Sequence, residues 1–217
     1  MAIDEGRRMR VAFCVSGRGS LFRAAVSQAV TIGIRPVLLV TETKSSAELD
    51  AFARDHGLPH VRLDPKPRDA FDRELARVLQ EADADLISLT FDRILPAEIV
   101  RAHAGRIINV HPALLPAFAG TRGVERTLES GARIGGATVH EVIDEVDAGP
   151  IIAQAVVGTI PGESPDDYGR RMYAVLEPMF LTVLRWYAEG RVEHDDAGRV
   201  VVRRAVYGTL PVNPTLE

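Results

Sequence analysis

Two polar side chains, Asn109 and His111, stand one residue apart at the end of an apolar run and directly before Pro112. If that run is a β-strand, its two-residue period directs both side chains to the same side. An amide and an imidazole that point to one place can stabilise a developing oxyanion, and the imidazole can also hold or pass a proton near neutral pH. The pattern alone, however, favours a plainer interpretation, in which Asn109 is a turn residue and His111 a hydrogen-bonded core histidine.

An acid that can work with this pair, Asp147, lies further along the chain in a short turn-forming segment that ends at Pro150. A carboxylate near His111 favours the charged imidazolium, and it can also accept a proton from an attacking amine, directly or through water. Amide, imidazole and carboxylate together suit acyl transfer to nitrogen without a covalent enzyme intermediate. Cys14 lies in the middle of an apolar run and Ser16 has no obvious base partner, so neither is a convincing nucleophile. Taken alone, Asp147 is simply a loop acid.

A second chemical feature is a glycine turn formed by Gly17, Arg18, Gly19 and Ser20. Between a strand and a helix, the backbone N–H groups of such a turn can bind an anion. A dinucleotide fingerprint needs a third small residue where this chain has the bulky Phe22. We therefore favour a phosphate or another small anion over a dinucleotide, and the alternative is a tight turn that simply requires glycine.

The elements that must position these residues alternate between strands and helices in the first half of the chain. Apolar runs predict strands, and amphipathic stretches between them predict helices. The predicted strands are 11–15, 36–40, 60–63, 86–90 and 106–110, and the predicted helices are 21–32, 47–56, 69–81 and 97–103. This rhythm predicts the α/β class, with a doubly wound, mostly parallel Rossmann-like sheet covered by helices on both faces. Ligands of such sheets bind at the carboxyl ends of strands, where both the glycine turn and the Asn109–His111 pair fall.

The second half of the chain changes character after a stretch rich in Pro, Gly and Ala over 110–135. Strands are predicted at 136–142 and 151–158, on either side of an acidic turn-rich segment. Ser164, as a cap before Pro165, begins a long helix that is predicted to run to Ala188 and stop at Gly190. Pro178 is predicted to kink or split that helix.

A hairpin is predicted from strands at 191–195 and 199–206, followed by a loose tail after Gly208. We therefore expect a C-terminal mixed portion that contains the long helix and this hairpin. The chain divides into a flexible N-terminus at 1–9, a catalytic domain at 10–190, and a hairpin and tail at 191–217 that pack on the same domain.

Composition narrows the class of protein. The formal net charge is −4 with no basic stripe, so nucleic acid is not an expected partner. A single cysteine excludes an intramolecular disulfide and fits a reducing cytoplasm. No stretch approaches the roughly 18–20 apolar residues of a membrane-spanning helix. The six histidines are scattered without metal-ligand spacing, so we expect no metal. The oligomeric state stays open.

Three ordered motifs carry a family resemblance: 109–116 (Asn-Val-His-Pro-Ala-Leu-Leu-Pro), 136–140 (Gly-Ala-Thr-Val-His) and 144–151 (Asp-Glu-Val-Asp-Ala-Gly-Pro-Ile). They resemble the formyltransferases that use 10-formyltetrahydrofolate, and within them the glycinamide ribonucleotide (GAR) transformylases most closely. The likeness covers about residues 10–191. It implies transfer of a formyl group from 10-formyltetrahydrofolate to a small primary amine, with GAR as the leading candidate and purine biosynthesis as the setting.

The resemblance also implies residue roles. Asn109 and His111 hold the formyl oxygen as it becomes an oxyanion, while Asp147 assists proton transfer and keeps His111 charged. His140 supports the site. The folate-binding residues that it implies are Asp92, Arg93, Ile94 and Leu95, in a segment whose backbone meets the pterin, and Val142 and Asp144, in the enclosing loop.

Departures from the family gather on the acceptor side. Leu21 replaces the asparagine that follows the serine of the phosphate turn, and a charge on Arg18 can compensate for it. Residues 119–122 (Ala-Gly-Thr-Arg) replace a Pro-Gly-Leu-His stretch. The acid that reads the ribose hydroxyls falls at Leu176, with Glu177 one residue later, a rotation of about 100° on a helix. The implied acceptor and anion site is therefore Gly17, Arg18, Gly19, Ser20 and Glu177.

Alternatives stay open for the reaction. The acceptor can be another amine, such as an amino sugar, an amino acid or a specialised-metabolite precursor. A 10-formyltetrahydrofolate hydrolase shares this core but carries an extra N-terminal regulatory domain, whereas only residues 1–10 precede the first predicted strand here. A folate-binding paralogue without catalysis is a third possibility, and an oxidoreductase is the weakest.

Overall fold

The structure is a computed structural model that describes residues 7–91 and 93–216. The chain forms two compact units that meet in sequence between Ile108 and Asn109. We refer to them as the N-terminal unit and the C-terminal unit. The domain boundaries predicted above at residues 9 and 190 stay predictions.

Parallel strands form the sheet of the N-terminal unit. In chain order the elements are β1 (Met9–Val15), α1 (Ser20–Ser27), β2 (Ile34–Glu42), α2 (Glu48–Asp55), β3 (His60–Leu63), α3 (Arg68–Ala82), β4 (Leu86–Thr90), α4 (Ala97–Ala102) and the start of β5 (Ile107–His111). The strand order is β4-β1-β2-β3, and the neighbouring strands pair in parallel. Residues 11–15 of β1 are at most 1% exposed, as a strand covered on both faces must be.

The predicted elements of this unit are present, and several of their boundaries differ from the prediction. The strands β3 and β4 have the predicted bounds, and Gly57 follows α2 with the positive φ of 60° expected at a helix end. The first helix was predicted to reach Ile32, which is wrong because α1 ends at Ser27. The β-branched run Val30-Thr31-Ile32 disfavours helix and forms turns instead. Strand β2 is longer than predicted at both ends.

Antiparallel pairing and a long helix characterise the C-terminal unit. Its elements are α5 (Gly123–Glu129), β6 (Ile134–Glu141), β7 (Ile151–Gly158), α6 (Pro165–Ala188), β8 (Val192–His194), β9 (Val200–Val202) and β10 (Val212–Asn213). The strand order is β10-β7-β6-β5, in which β7 pairs antiparallel with both β6 and β10. Strands β8 and β9 form a separate antiparallel hairpin.

The long helix was predicted well. Ser164 Oγ accepts a hydrogen bond from the Asp167 amide at 3.1 Å, and Pro165 occupies the first turn. Pro178 does not split α6, which corrects that alternative. Both Pro178 and Ala174, whose carbonyl the proline leaves without a helical partner, are exposed, so water can reach the free carbonyl.

Three expectations for this unit were wrong. Helix α5 was missed within 110–135, because it begins after Arg122 in a left-handed conformation (φ 60°) and carries no polar capping signal. The tail after Gly208 is not wholly loose, since β10 pairs with Ala155 and Gln154 of β7. The second hairpin strand ends at Val202 instead of Val206, because the chain turns at Arg203 and Arg204.

The architecture confirms the α/β class with a mostly parallel sheet, and the long helix and the hairpin are both present. Within the described residues, none of the helices combines the length and the apolar character that crossing a membrane requires.

Candidate active site

Two strand ends supply the polar side chains of the site, all of them within the C-terminal unit. Asn109 and His111 end β5, and His140 lies in the last pair of residues of β6. His111 and His140 are 4% and 1% exposed, and Asn109 is half-buried. Burial of these groups requires hydrogen-bond partners, and each of the three has one.

The Asn109 amide contacts His140, at 3.2 Å between Nδ2 and Nε2. His140 Nδ1 lies 2.8 Å from the backbone oxygen of Glu141, and because a carbonyl only accepts, Nδ1 carries the proton. In the neutral ring, Nε2 then accepts from the Asn109 amide and fixes its orientation. One N–H of Asn109 is used in this way, and the second remains to hold a substrate oxygen.

Both ring nitrogens of His111 face acceptors. Nε2 donates to the Phe118 backbone oxygen at 3.0 Å, and Nδ1 lies 3.3 Å from Asp147 Oδ2. Burial lowers the pKa of His111, while the Asp147 charge and the Phe118 hydrogen bond act in the opposite direction without outweighing it. The expectation that Asp147 keeps His111 charged is therefore corrected for the free protein. A developing oxyanion nearby would raise the proton affinity of this ring.

Asp147 joins the two histidines. Its Oδ2 accepts from the Gly120 amide at 2.8 Å, and its Oδ1 lies 3.6 Å from His140 Nε2, beyond a normal hydrogen bond. Burial alone would raise the pKa of Asp147, but His140, the Gly120 amide and the neighbouring His111 together lower it. The carboxylate is thus ionised near neutral pH. Asp147 has a left-handed backbone conformation, with φ 54°.

A buried polar network supports the segment after His111. Thr138 Oγ1 donates to the Ala113 oxygen at 2.8 Å and accepts from the Leu115 amide at 3.1 Å. Gln154 Nε2 donates to the Leu115 oxygen at 2.9 Å. Gly136 lies so close to the neighbouring strand that a Cβ would stand 1.9 Å from the Ala155 oxygen. The strand end that carries the candidate catalytic pair, Asn109 and His111, is therefore rigidly supported.

The predicted pterin segment lies in the N-terminal unit, and Asp92 falls outside the described residues. The Arg93 guanidinium pairs with Glu42 and stacks over the Phe71 ring at 4.8 Å. Ile94 is 62% exposed and Leu95 is buried. The Arg93 side chain therefore has structural partners, which leaves the backbone and Ile94 to meet a ligand.

The predicted enclosing loop lies in the C-terminal unit, between β6 and β7. Val142 is half-buried and Asp144 is exposed. Two apolar residues of this loop, Ile143 and Val146, are 42% and 43% exposed. Apolar side chains at a loop surface suit contact with an aromatic ligand such as a pterin.

The glycine turn has a structural reason for each glycine. Gly17 and Gly19 have φ values of 66° and 64°, and a Cβ on Gly19 would stand 2.7 Å from Leu49. Arg18 and Ser20 are exposed, and Ser20 is the first residue of α1. This geometry fits both the tight-turn interpretation and an anion site at the helix start, so the anion role stays a prediction.

The predicted ribose-reading position lies on α6 in the C-terminal unit. Leu176 is 5% exposed and packs in the core. Glu177 is half-buried at the next position. The one-residue shift expected from the sequence is therefore accompanied by a difference in burial.

Sequence reasoning missed the groups that hold the candidate catalytic side chains. Phe118 and Gly120 act through backbone atoms, which leave no side-chain signal. Thr138 lay inside the Gly-Ala-Thr-Val-His motif, but that motif did not indicate its hydrogen bonds to residues 113 and 115. Among the described residues, no group of three or more His, Cys, Asp or Glu side chains is placed to hold a metal ion.

Comparison with known proteins gives a consistent picture. The formyl transferase family model matches residues 9–184. The phosphoribosylglycinamide formyltransferase of Escherichia coli (strain K12) is 34% identical over 195 residues, covering 87% of this chain and 92% of that protein. Longer trifunctional purine biosynthetic proteins also match, and this chain spans 20% of the one from Gallus gallus.

Solved structures agree with these relatives. The phosphoribosylglycinamide formyltransferase from Anaplasma phagocytophilum aligns with a TM-score of 0.83 at 30% identity, covering 91% of this chain and 95% of that one. A formyltetrahydrofolate deformylase from Pseudomonas syringae pv. tomato aligns with a TM-score of 0.82 at 27% identity, covering 92% of this chain and 67% of that one.

Proposed function

This chain belongs to the formyl transferase family, and we propose that it moves a formyl group from 10-formyltetrahydrofolate to the primary amine of GAR, a step of purine biosynthesis. The observation that carries this proposal is the contact network of Asn109, His140, Asp147 and His111, in which the amide keeps one N–H available. The relatives named as phosphoribosylglycinamide formyltransferases support GAR as the acceptor.

The oxyanion step falls to Asn109 and His111. As the amine nitrogen bonds to the formyl carbon, the carbonyl oxygen takes up negative charge. The second Asn109 N–H can donate to that oxygen, since the first is held by His140. In the neutral ring the proton is on Nε2, which donates to Phe118, so Nδ1 of His111 can donate to the oxygen only once the ring has taken up a second proton. A preorganised donor pair of this kind stabilises the tetrahedral intermediate more than the planar formyl group.

The proton step falls to Asp147 and His111. The attacking amine becomes positively charged as it bonds to carbon, and it must lose one proton. An ionised Asp147 can accept that proton directly or through water, and His111 can then share it. The bond from the formyl carbon to N10 of the folate breaks, and N10 gains a proton, which yields tetrahydrofolate and the formylated amine.

A covalent enzyme intermediate is not needed. Cys14, the one cysteine of the chain, lies buried in β1, and burial raises its pKa to about 12. Its thiol therefore stays protonated and unreactive at neutral pH. A buried free thiol also suits a reducing compartment, and we propose a cytoplasmic location for the reaction.

A second candidate is transfer to a different amine. The buried Leu176 supports it, because that side chain cannot read ribose hydroxyls, and Leu21 is likewise buried in the position of a polar phosphate contact. A hydrolase is the third candidate, given the similarity to a deformylase structure. All three share the donor chemistry and differ only in what attacks the formyl carbon.

The test is a purified-protein assay that follows tetrahydrofolate production with GAR, with a panel of other primary amines, and without acceptor. The proposal predicts production that requires GAR, and loss of most turnover in Asp147→Asn. Turnover on another amine without any on GAR would overturn the assignment of the acceptor. Formate release at an equal rate without any amine would identify a hydrolase.

A further inference from the structure

A second polar cluster lies behind the active site in the C-terminal unit. Glu141 is 5% exposed at the end of β6. Its Oε1 accepts from the Tyr187 hydroxyl of α6 at 2.8 Å, and its Oε2 lies 2.8 Å from His194 Nε2 of β8. We call these three residues the Glu141 clamp. A carboxylate this deeply buried is costly unless it is paired, so its presence next to His140 requires a reason.

The backbone of Glu141 is held as firmly as its side chain. Its amide donates to the Pro150 oxygen at 2.9 Å. Its oxygen accepts from His140 Nδ1 at 2.8 Å. Gly149 packs against the same oxygen so closely that a Cβ there would stand 1.9 Å from it. One residue thus joins α6 and the β8–β9 hairpin to the hydrogen bond that determines where His140 carries its proton.

We propose that the Glu141 clamp is a positioning device for the oxyanion-binding amide, acting through the tautomer of His140. The clamp fixes the peptide oxygen of Glu141 where only an Nδ1–H tautomer can donate to it. That tautomer leaves Nε2 as an acceptor, which holds the Asn109 amide with its free N–H directed to the substrate. This inference rests on the proposed function only for its catalytic consequence.

The physical argument is that a second hydrogen bond selects the tautomer of a histidine. If the Glu141 oxygen moves, Nδ1 loses its acceptor and the proton can shift to Nε2. An Nε2–H could not accept a hydrogen bond from the Asn109 N–H, because both groups are donors. It would instead donate to Asp147, which lies 3.6 Å away. The amide would then rotate or lose its orientation, and the oxyanion would lose its fixed donor.

The first test needs no substrate. Two-bond ¹H–¹⁵N correlation spectra of the histidine side chains report which nitrogen of His140 is protonated. We expect the Nδ1–H tautomer in the wild type and a shift toward Nε2–H in Glu141→Leu, with a smaller shift in Tyr187→Phe. Glu141→Gln keeps an oxygen for the Tyr187 hydroxyl and should retain the wild-type tautomer. Glu193 is an exposed neighbour on β8. Glu193→Gln is therefore the matched control, and it should leave the His140 tautomer unchanged.

The second test measures the catalytic consequence. In Glu141→Leu, kcat should fall about tenfold while the KM for the folate donor changes little, because a histidine in the wrong tautomer disables the group that it orients. His194→Gln, which keeps a donor for Glu141, should retain more activity than His194→Leu. In a His140→Asn background, Tyr187→Phe should have no further effect on kcat, since the clamp then has no histidine to act through.

The two readouts separate the failure of this inference from failure of the proposed function. An unchanged His140 tautomer in both Glu141→Leu and Tyr187→Phe would overturn the inference, even with GAR formylation established. Additive effects of Tyr187→Phe and His140→Asn on kcat would also overturn it and leave the clamp a purely structural feature. A tautomer shift in a protein that does not formylate GAR would support the clamp and refute only the acceptor.

Discussion

The strand end at Asn109 to His111 and the glycine turn at 17–20 both follow buried strands, yet they differ in what surrounds them. The polar groups of the strand end contact one another: Asn109 contacts His140, and Asp147 lies near both His140 and His111. The corresponding residues of the N-terminal unit are instead explained by how they pack and pair within the fold. Gly19 fits under Leu49, and Arg93 pairs with Glu42.

The two regions therefore need different explanations, one chemical and one structural. A fold gains little from burying two histidines beside a carboxylate, because desolvation of charged groups opposes burial. Chemistry is the better reason for such a cluster. A glycine with a positive φ in a crowded turn already has a reason to be glycine. The C-terminal unit by itself therefore supports the proposed transfer chemistry, whereas the anion role of the turn needs an experiment.

The strongest test of the first region is His111→Ala. It should lower kcat by about 10³-fold, since the ring serves both the oxyanion and the proton. Steady-state assays of tetrahydrofolate release measure this effect. His56→Ala, which removes an exposed ring stacked on Phe52, is the matched control and should leave kcat unchanged. If the two variants were equally active, the plainer view of His111 as a core histidine would return.

Asn109→Ala should have the next largest effect. Removing one preorganised oxyanion donor lowers kcat about 10²-fold, with little change in the KM for the folate donor. The measurement is the same assay at saturating donor, with thermal unfolding as a check on the fold. Asn109→Ser keeps a short hydrogen-bond donor and should lose less. A rise in KM at unchanged kcat would show that the amide binds the ground state only.

Arg18→Ala tests the second region. If the turn binds the phosphate of GAR, the KM for GAR should rise about tenfold through loss of a charge-assisted hydrogen bond, at unchanged kcat. A substrate amine without phosphate should show no change. Arg35→Ala, an exposed arginine of β2, is the control. An unchanged KM for GAR in Arg18→Ala, or an equal rise with Arg35→Ala, would leave the turn with only its structural explanation.

The sequence predicted the end of β5 at Asn109 to His111 well because two local features of the sequence point to the same structure. The two-residue period aligns Asn109 with His111, and Pro112 ends the strand. The motif around Asp147 then identified its partner. The backbone groups of Phe118 and Gly120 were unpredictable, since any residue offers the same oxygen or amide. Helix α5 was missed because Arg122 begins it in a left-handed conformation that no residue pattern announces.

The predicted charge on His111 was the other error. It arose because the pKa of His111 depends on the balance between its burial and the charge of Asp147, which the sequence does not show. Asp147 acts on the imidazole in the predicted direction, but burial outweighs it. A sequence can name the partner of a titratable group more easily than it can give the depth at which both are buried. The structure supplies that depth, and with it the direction of the shift.

The smallest expected effect is also the most direct measure of that balance. Burial places the pKa of His111 below its ordinary value, and the negative charge of Asp147 limits the decrease. Asp147→Asn removes the charge and keeps the shape, so the pKa of His111 should fall further. An NMR titration of His111 in the free protein measures this shift. A rise in the His111 pKa in Asp147→Asn would mean that the carboxylate does not stabilise the imidazolium, and the proton step would then have to be reassigned to another group.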